Sequence, residues 1–149
     1  METTHLPKRF PTVTGAPVGR DLVIHLSDEL GIALVPIDDA FWTHAGITMS
    51  EMSEGRILCV SDYTSTWTWW ECHPDGDELV YLLSGDVDFE LDDGEGIGSV
   101  PLRRGEAAVV PTGVWHRAVI REAGRMLFIT PTPARTLVRE IEAEVEAAS

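Results

Sequence analysis

The chain has 149 residues, 44% apolar and 24% charged, which suits one domain around one hydrophobic core and excludes wholesale disorder. Eleven Lys and Arg against 25 Asp and Glu leave a net charge of −14, which opposes contact with nucleic-acid phosphates and with anionic lipid. No apolar stretch approaches the ~20 residues a membrane helix needs.

Residues 1–19 are polar and carry three prolines. They read as an extended N-terminal arm without the apolar segment of a secretory signal, ahead of a single domain over 20–149. The two cysteines, Cys59 and Cys72, form no C-x-x-C pair and read as free thiols of a cytoplasmic protein. The runs Asp21–Leu26 and Ile32–Val35 are too short for periodicity to choose between strand and helix.

From residue 55 onward, β-rich runs recur at roughly ten-residue spacing. They are Ile57–Tyr63, Trp67–His73, Leu79–Leu83, Val87–Leu91, Ser99–Leu102, Ala107–Val110, Val114–Ile120 and Met126–Thr130. Turn residues join them: Pro74-Asp75-Gly76, Ser84-Gly85, Asp92-Asp93-Gly94, Arg104-Gly105 and Pro111-Thr112-Gly113. The pattern predicts an all-β antiparallel sandwich or barrel. Asp86 to Asp92 alternates strictly, placing Val87, Phe89 and Leu91 on a core face and four acids on a solvated one. Thr132-Pro133 then opens a segment with Leu137, Ile141 and Val145 at four-residue spacing, which predicts an amphipathic helix over about 133–147.

Metal-ligand residue types concentrate in two places, Glu71 to Glu78 and the segment ending at His116. Strand alternation puts Glu71 and His73 on one face with Trp67 and Trp69, and Trp70 and Cys72 on the other. Glu78 shares a face with Val80 and Leu82, and His116 with Val114, Ala118 and Ile120. With these faces turned inward, Glu71, His73, Glu78 and His116 converge in a cavity lined by Trp67, Trp69, Val80, Phe89 and Val114. Two imidazoles and a carboxylate suit one divalent transition metal, and Fe, Mn, Ni and Zn all accept such N and O ligands.

These two segments resemble the motifs of the cupin superfamily. In the first motif, G-x5-H-x-H-x3,4-E-x6-G, His73 matches the second histidine, Glu78 the glutamate and Gly85 the closing glycine. In the second, G-x5-P-x-G-x2-H-x3-N, Gly105, Pro111, Gly113 and His116 fall in place. Ser65, Ile120 and Glu71 depart from the pattern, and Glu71 stands where the first histidine belongs. The chain is thus similar to small single-domain cupins that carry a glutamate there.

The resemblance covers about residues 55–130. It implies a jelly-roll barrel holding a metal between its sheets, and a homodimer. It further implies a metal-dependent enzyme on a small organic molecule, dioxygenase-like or isomerase- and cyclase-like. Glu71, off the family pattern, reads from its inward place as a ligand, a substrate hydrogen-bonding group or, when off the metal, the proton-transfer residue. The alternative is a non-catalytic module that senses a small molecule or metal and acts through a protein partner.

Overall fold

The computed structural model describes residues 22–36, 54–132 and 136–141. Nine strands and no helix occur among the described residues: β1 (Leu22–Leu26), β2 (Ile32–Pro36), β3 (Arg56–Tyr63), β4 (Trp69–Cys72), β5 (Glu78–Asp92), β6 (Ile97–Arg103), β7 (Ala107–Val110), β8 (Trp115–Pro131) and β9 (Leu137–Glu140). Every pairing is antiparallel. The expected arm over 1–19 lies outside the described residues.

The two runs that periodicity left open form a hairpin, with β1 paired to β2 from Leu22↔Pro36 to Leu26↔Ile32. It joins the rest through β1 and β3. Val23 is buried, while Ile32 and Leu34 stay exposed.

Two long strands organise the fold. The sequence reads Leu79–Leu83 and Val87–Leu91 as separate strands, but β5 runs unbroken from Glu78 to Asp92. Likewise Val114–Ile120 and Met126–Thr130 belong to the single strand β8. Ser84-Gly85 is therefore a bulge and not a turn. The β5–β8 register slips between Leu82 and Ser84, between Ser84 and Asp86, and again between Asp86 and Val87. Gly85 there has φ +90°, and a Cβ on Gly124 would sit 2.0 Å from the Ser84 carbonyl oxygen. Extra residues in a ladder bend it. Each long strand so contributes to two parts of the barrel: β8 pairs with β3 and β5 through its C-terminal half and with β4 and β5 through its N-terminal half.

The bend encloses one core of Trp67, Val80, Leu82, Val87, Phe89, Leu102, Val110, Ala118, Met126 and Phe128. Val87 and Phe89 face inward, as the alternation requires. The acidic face of β5, expected to be merely solvated, is instead laddered with arginines from other strands. Asp86 pairs with Arg103, Asp88 with Arg121 and Arg103, Glu90 with Arg117 and Asp92 with Arg139. Sequence reading missed this because β5 and its flanks from Ile57 to Leu102 contain no Lys or Arg. Arg103 arrives at the far end of the next strand, β6, and the other cations from β8 and β9.

The predicted C-terminal helix is not formed at 137–140. These residues are β9, zipped onto β4 from Trp69↔Glu140 to Cys72↔Leu137. Leu137 and Val138 are exposed, so the four-residue apolar spacing buries nothing here. Pairing with an open strand edge has overridden local periodicity, since β4 would otherwise present unpaired backbone groups. The remainder of 133–147 lies outside the described residues, apart from Thr136 and Ile141.

Gly124→Ala should lower the unfolding free energy by about 2–4 kcal/mol, because a Cβ has no room beside Ser84. Gly98→Ala, where a Cβ would meet nothing within 4 Å, should cost about 1 kcal/mol or less. Urea midpoints of the two variants check this; equal costs would remove the bulge as the fold's bending point.

Candidate metal centre

Register places the polar side chains. Glu71 on β4 lies directly opposite His116 on β8, and Leu91 on β5 flanks His116 from the other side. Directly opposed residues share a face, so Glu71 and His116 enter the interior together. His73 follows the last residue of β4, and its carbonyl accepts a hydrogen bond from Gly113 N at 3.0 Å. Thr112 donates both its backbone N–H and its hydroxyl to Asp77 Oδ1, each at 2.8 Å. Those bonds hold the Asp77 carboxyl below its usual range. They tie the turn after His73 to the turn before His116, so the two histidines meet.

The result is a tight, dry cluster. Glu78 Oε2 lies 2.9 Å from His73 Nε2, and Glu78 Oε1 lies 3.1 Å from His116 Nε2. The imidazole centroids are 5.2 Å apart. His73, Glu78 and His116 are exposed by only 5%, 3% and 0%. Ligand atoms of Glu71, His73 and His116 also lie within 4.8 Å of one another. All four residues singled out from sequence are brought together.

Three of these groups have a further partner, Glu78 through the same Oε2 that faces His73 and the two histidines through Nδ1. Thr130 Oγ1 donates to Glu78 Oε2 at 2.6 Å. Thr136 Oγ1 lies 3.3 Å from His73 Nδ1, and the Val114 carbonyl lies 3.4 Å from His116 Nδ1. His73 Nε2, His116 Nε2 and Glu78 Oε1 are buried and make no aligned hydrogen bond, although they sit at ion-pair distance. A buried polar atom left unpaired costs roughly 1–3 kcal/mol, so a partner shared by these atoms would be stabilising.

A cation fits. Ligand atoms about 2.1 Å from a metal stand about 3.0 Å apart as octahedral neighbours and about 3.4 Å apart on a tetrahedron. The 2.9 Å from His73 Nε2 to Glu78 Oε2 and the 3.1 Å from His116 Nε2 to Glu78 Oε1 are compatible with that octahedral edge and equally with charge-assisted hydrogen bonds.

The electrostatics agree. Burial works against charge on Glu78, but the adjacent His116 and His73 outweigh it and hold the carboxyl at about 2. Burial also works against charge on His73, and Glu78 followed by Glu71 outweighs it, so the imidazole is raised above its usual value.

The aromatic residues divide. Trp69 stays half-buried, and its Nε1 donates to Glu71 Oε1 at 2.9 Å. Trp67 stacks on Trp69 at 5.5 Å, but is itself buried among Tyr63, Phe89, Phe128 and His116, with Nε1 unpartnered. Val80 and Phe89 are fully buried, Phe89 stacking at 6.3 Å on His116, and half-buried Val114 packs on the same core. Cys59 and Cys72 are free. Burial and then Glu78 push the Cys59 thiol up to about 12, which keeps it neutral and outside the ligand set.

Sequence reasoning missed Asp77, Thr112, Thr130 and Thr136. Thr130 was within reach of it, since it continues the inward period of Met126 and Phe128.

The model of the cupin domain family matches residues 64–130, which is 67 of the 149 residues. No curated protein matches the sequence. Among solved structures, a cupin-2 domain containing protein from Shewanella frigidimarina is 25% identical, over 51% of this chain and 70% of that one, with a TM-score of 0.44. Hydroxypropylphosphonic acid epoxidase from S. wedmorenis is 17% identical, over 50% and 42%, with a TM-score of 0.44. Hydroquinone 1,2-dioxygenase from Sphingomonas sp. TTNP3 is 22% identical, over 52% and 59%, with a TM-score of 0.42. The chain thus spans less than two thirds of the length of either enzyme.

The raised His73 predicts a pH signature. Its stabilising contribution is complete below the ordinary value of 6.5 and is lost as pH rises through the higher folded-state value. Metal binding needs neutral imidazoles, so metal-derived stability grows over that same range. The Tm difference between metal-loaded and chelator-treated protein should therefore widen from pH 6 to pH 8. A difference that stays constant would contradict this linkage.

Proposed function

We propose that the chain is a cupin, on the family match over residues 64–130, and that it is a metal-dependent enzyme acting on a small organic molecule. Its divalent transition metal (Fe, Mn, Ni or Zn) would be held by His73, His116, Glu78 and Glu71. The observation that carries this reading is the buried meeting of His73, His116 and Glu78: Glu78 Oε2 lies 2.9 Å from His73 Nε2 and Oε1 3.1 Å from His116 Nε2, and both Nε2 atoms and Oε1 lack an aligned hydrogen bond. Two nitrogens and carboxylate oxygens suit all four metals, and ligand softness does not choose among them. When bound, the ion supplies a Lewis acid and a site where a substrate oxygen or O₂ can be activated.

The protein's own groups then have separate tasks. Glu78 is fully enclosed and ionised, and serves as a fixed anionic ligand. Glu71 is half-buried with Oε1 held by Trp69 Nε1, so its other oxygen can accept a proton from substrate whenever it is not on the metal. Phe89, Phe128 and the two tryptophans keep the interior dry, which strengthens every charge interaction inside it. Proton transfer of this kind serves isomerisation and cyclisation, and it also deprotonates a substrate before oxygenation.

Full-length protein purified without a histidine tag should carry close to one equivalent of Fe, Mn, Ni or Zn. His73→Ala and His116→Ala should each lose it. Less than ~0.1 equivalent under metal-replete expression ends the metal reading. Glu71→Gln should keep the metal through the remaining ligands and lower turnover of a responding substrate by about 10²–10⁴-fold. A metal-loaded protein that turns over nothing in a panel of catechols, keto acids and diketones, with and without O₂, points instead to a sensing module.

A further inference from the structure

We infer that Thr136 is a positioning residue for this centre, fixing the ring of His73 through its hydroxyl, so that the C-terminal strand β9 completes the site. The inference rests on the metal reading above. Thr136 lies outside residues 64–130, so the family match does not extend to it.

His73 presents Nε2 to Glu78 and Nδ1 to Thr136 Oγ1, 3.3 Å away. A histidine that gives its Nε2 lone pair to a metal carries its proton on Nδ1, and that N–H needs an acceptor. A threonine hydroxyl can accept it. Thr130 does the corresponding work for Glu78, and the Val114 carbonyl does it for His116. Each of these three residues is thus backed by one further contact, and only the His73 contact comes from the far end of the chain.

What delivers Thr136 is not hydrophobic burial, because β9 is exposed along its whole length. The strand is held by its ladder to β4, with Glu71↔Val138 and Cys72↔Leu137, and by Ile141 N donating to the Thr68 carbonyl at 3.0 Å. Arg139 then locks it. Its Nη2 pairs with Asp92 Oδ2 at 3.1 Å, and its guanidinium lies 4.8 Å from the Trp115 ring centroid and 5.4 Å from that of Trp70. Those two tryptophans flank Glu71 and His116 in sequence, so the clamp grips the two strands that carry the ligands.

The test is titration of the full-length, chelator-stripped protein with Co(II), whose visible spectrum reports coordination. Thr136→Val should weaken Co(II) binding by about 10–100-fold and alter the spectrum, while Thr136→Ser restores both. Because Thr136 is exposed, the Tm of the stripped variants should equal that of the wild type. Arg139→Ala, which leaves the hydroxyl in place, should weaken binding by a smaller factor. Wild-type affinity in Thr136→Val overturns the inference and leaves the metal reading standing. A loss that serine does not rescue, or that follows a fall in Tm of the stripped protein, assigns Thr136 a merely structural role. A wild type that takes up no Co(II) removes the metal reading itself.

Discussion

The structure turns on an electrostatic debt inside a dry barrel. Two imidazole nitrogens and one carboxylate are buried against one another at ion-pair distance, and His73 Nε2, His116 Nε2 and Glu78 Oε1 make no aligned hydrogen bond. Surrounding Phe89, Trp67, Ala118 and Phe128 exclude water, so solvent does not screen the cluster. Against the small net free energy of folding, a partner shared by these atoms would be a large gain. The divalent ion proposed above would satisfy all three together. Thr130, Thr136 and the Val114 carbonyl supply the further contacts of Glu78, His73 and His116.

The rest of the fold can be understood as holding that convergence in register. A slip of one residue between β4 and β8 would turn Glu71 away from His116. Register is pinned by the Asp77–Thr112 bonds at one end and by the Ser84, Gly85 and Gly124 bulge at the other. The arginine ladder on the outside of β5 reinforces the same alignment, joining β5 to β6, β8 and β9. Each exposed pair contributes at most about 1 kcal/mol, so the ladder specifies pairing more than it adds stability.

Much of this was legible in the sequence. Alternation in Asp86–Asp92 identified the core face of β5, and the offsets of His73, Glu78 and His116 pointed to side chains that the fold places side by side. What failed depended on partners remote in sequence. The merging of two short runs into β5, and of two more into β8, follows from glycines that permit a bulge only because the facing strand crowds them. The helical spacing of Leu137, Ile141 and Val145 was a local signal, overruled at 137–140 by the free edge of β4. Thr136 and Arg139 carried no motif, because their roles exist only once β9 lies beside β4.

The most direct measurement is anomalous diffraction from crystals of the full-length protein, collected on both sides of the Fe, Mn, Ni and Zn absorption edges. The account predicts one peak, within about 2.0–2.3 Å of His73 Nε2, His116 Nε2 and a Glu78 oxygen together. An ordered water with no anomalous signal at that point, or imidazoles turned so that no single atom touches both, would contradict it.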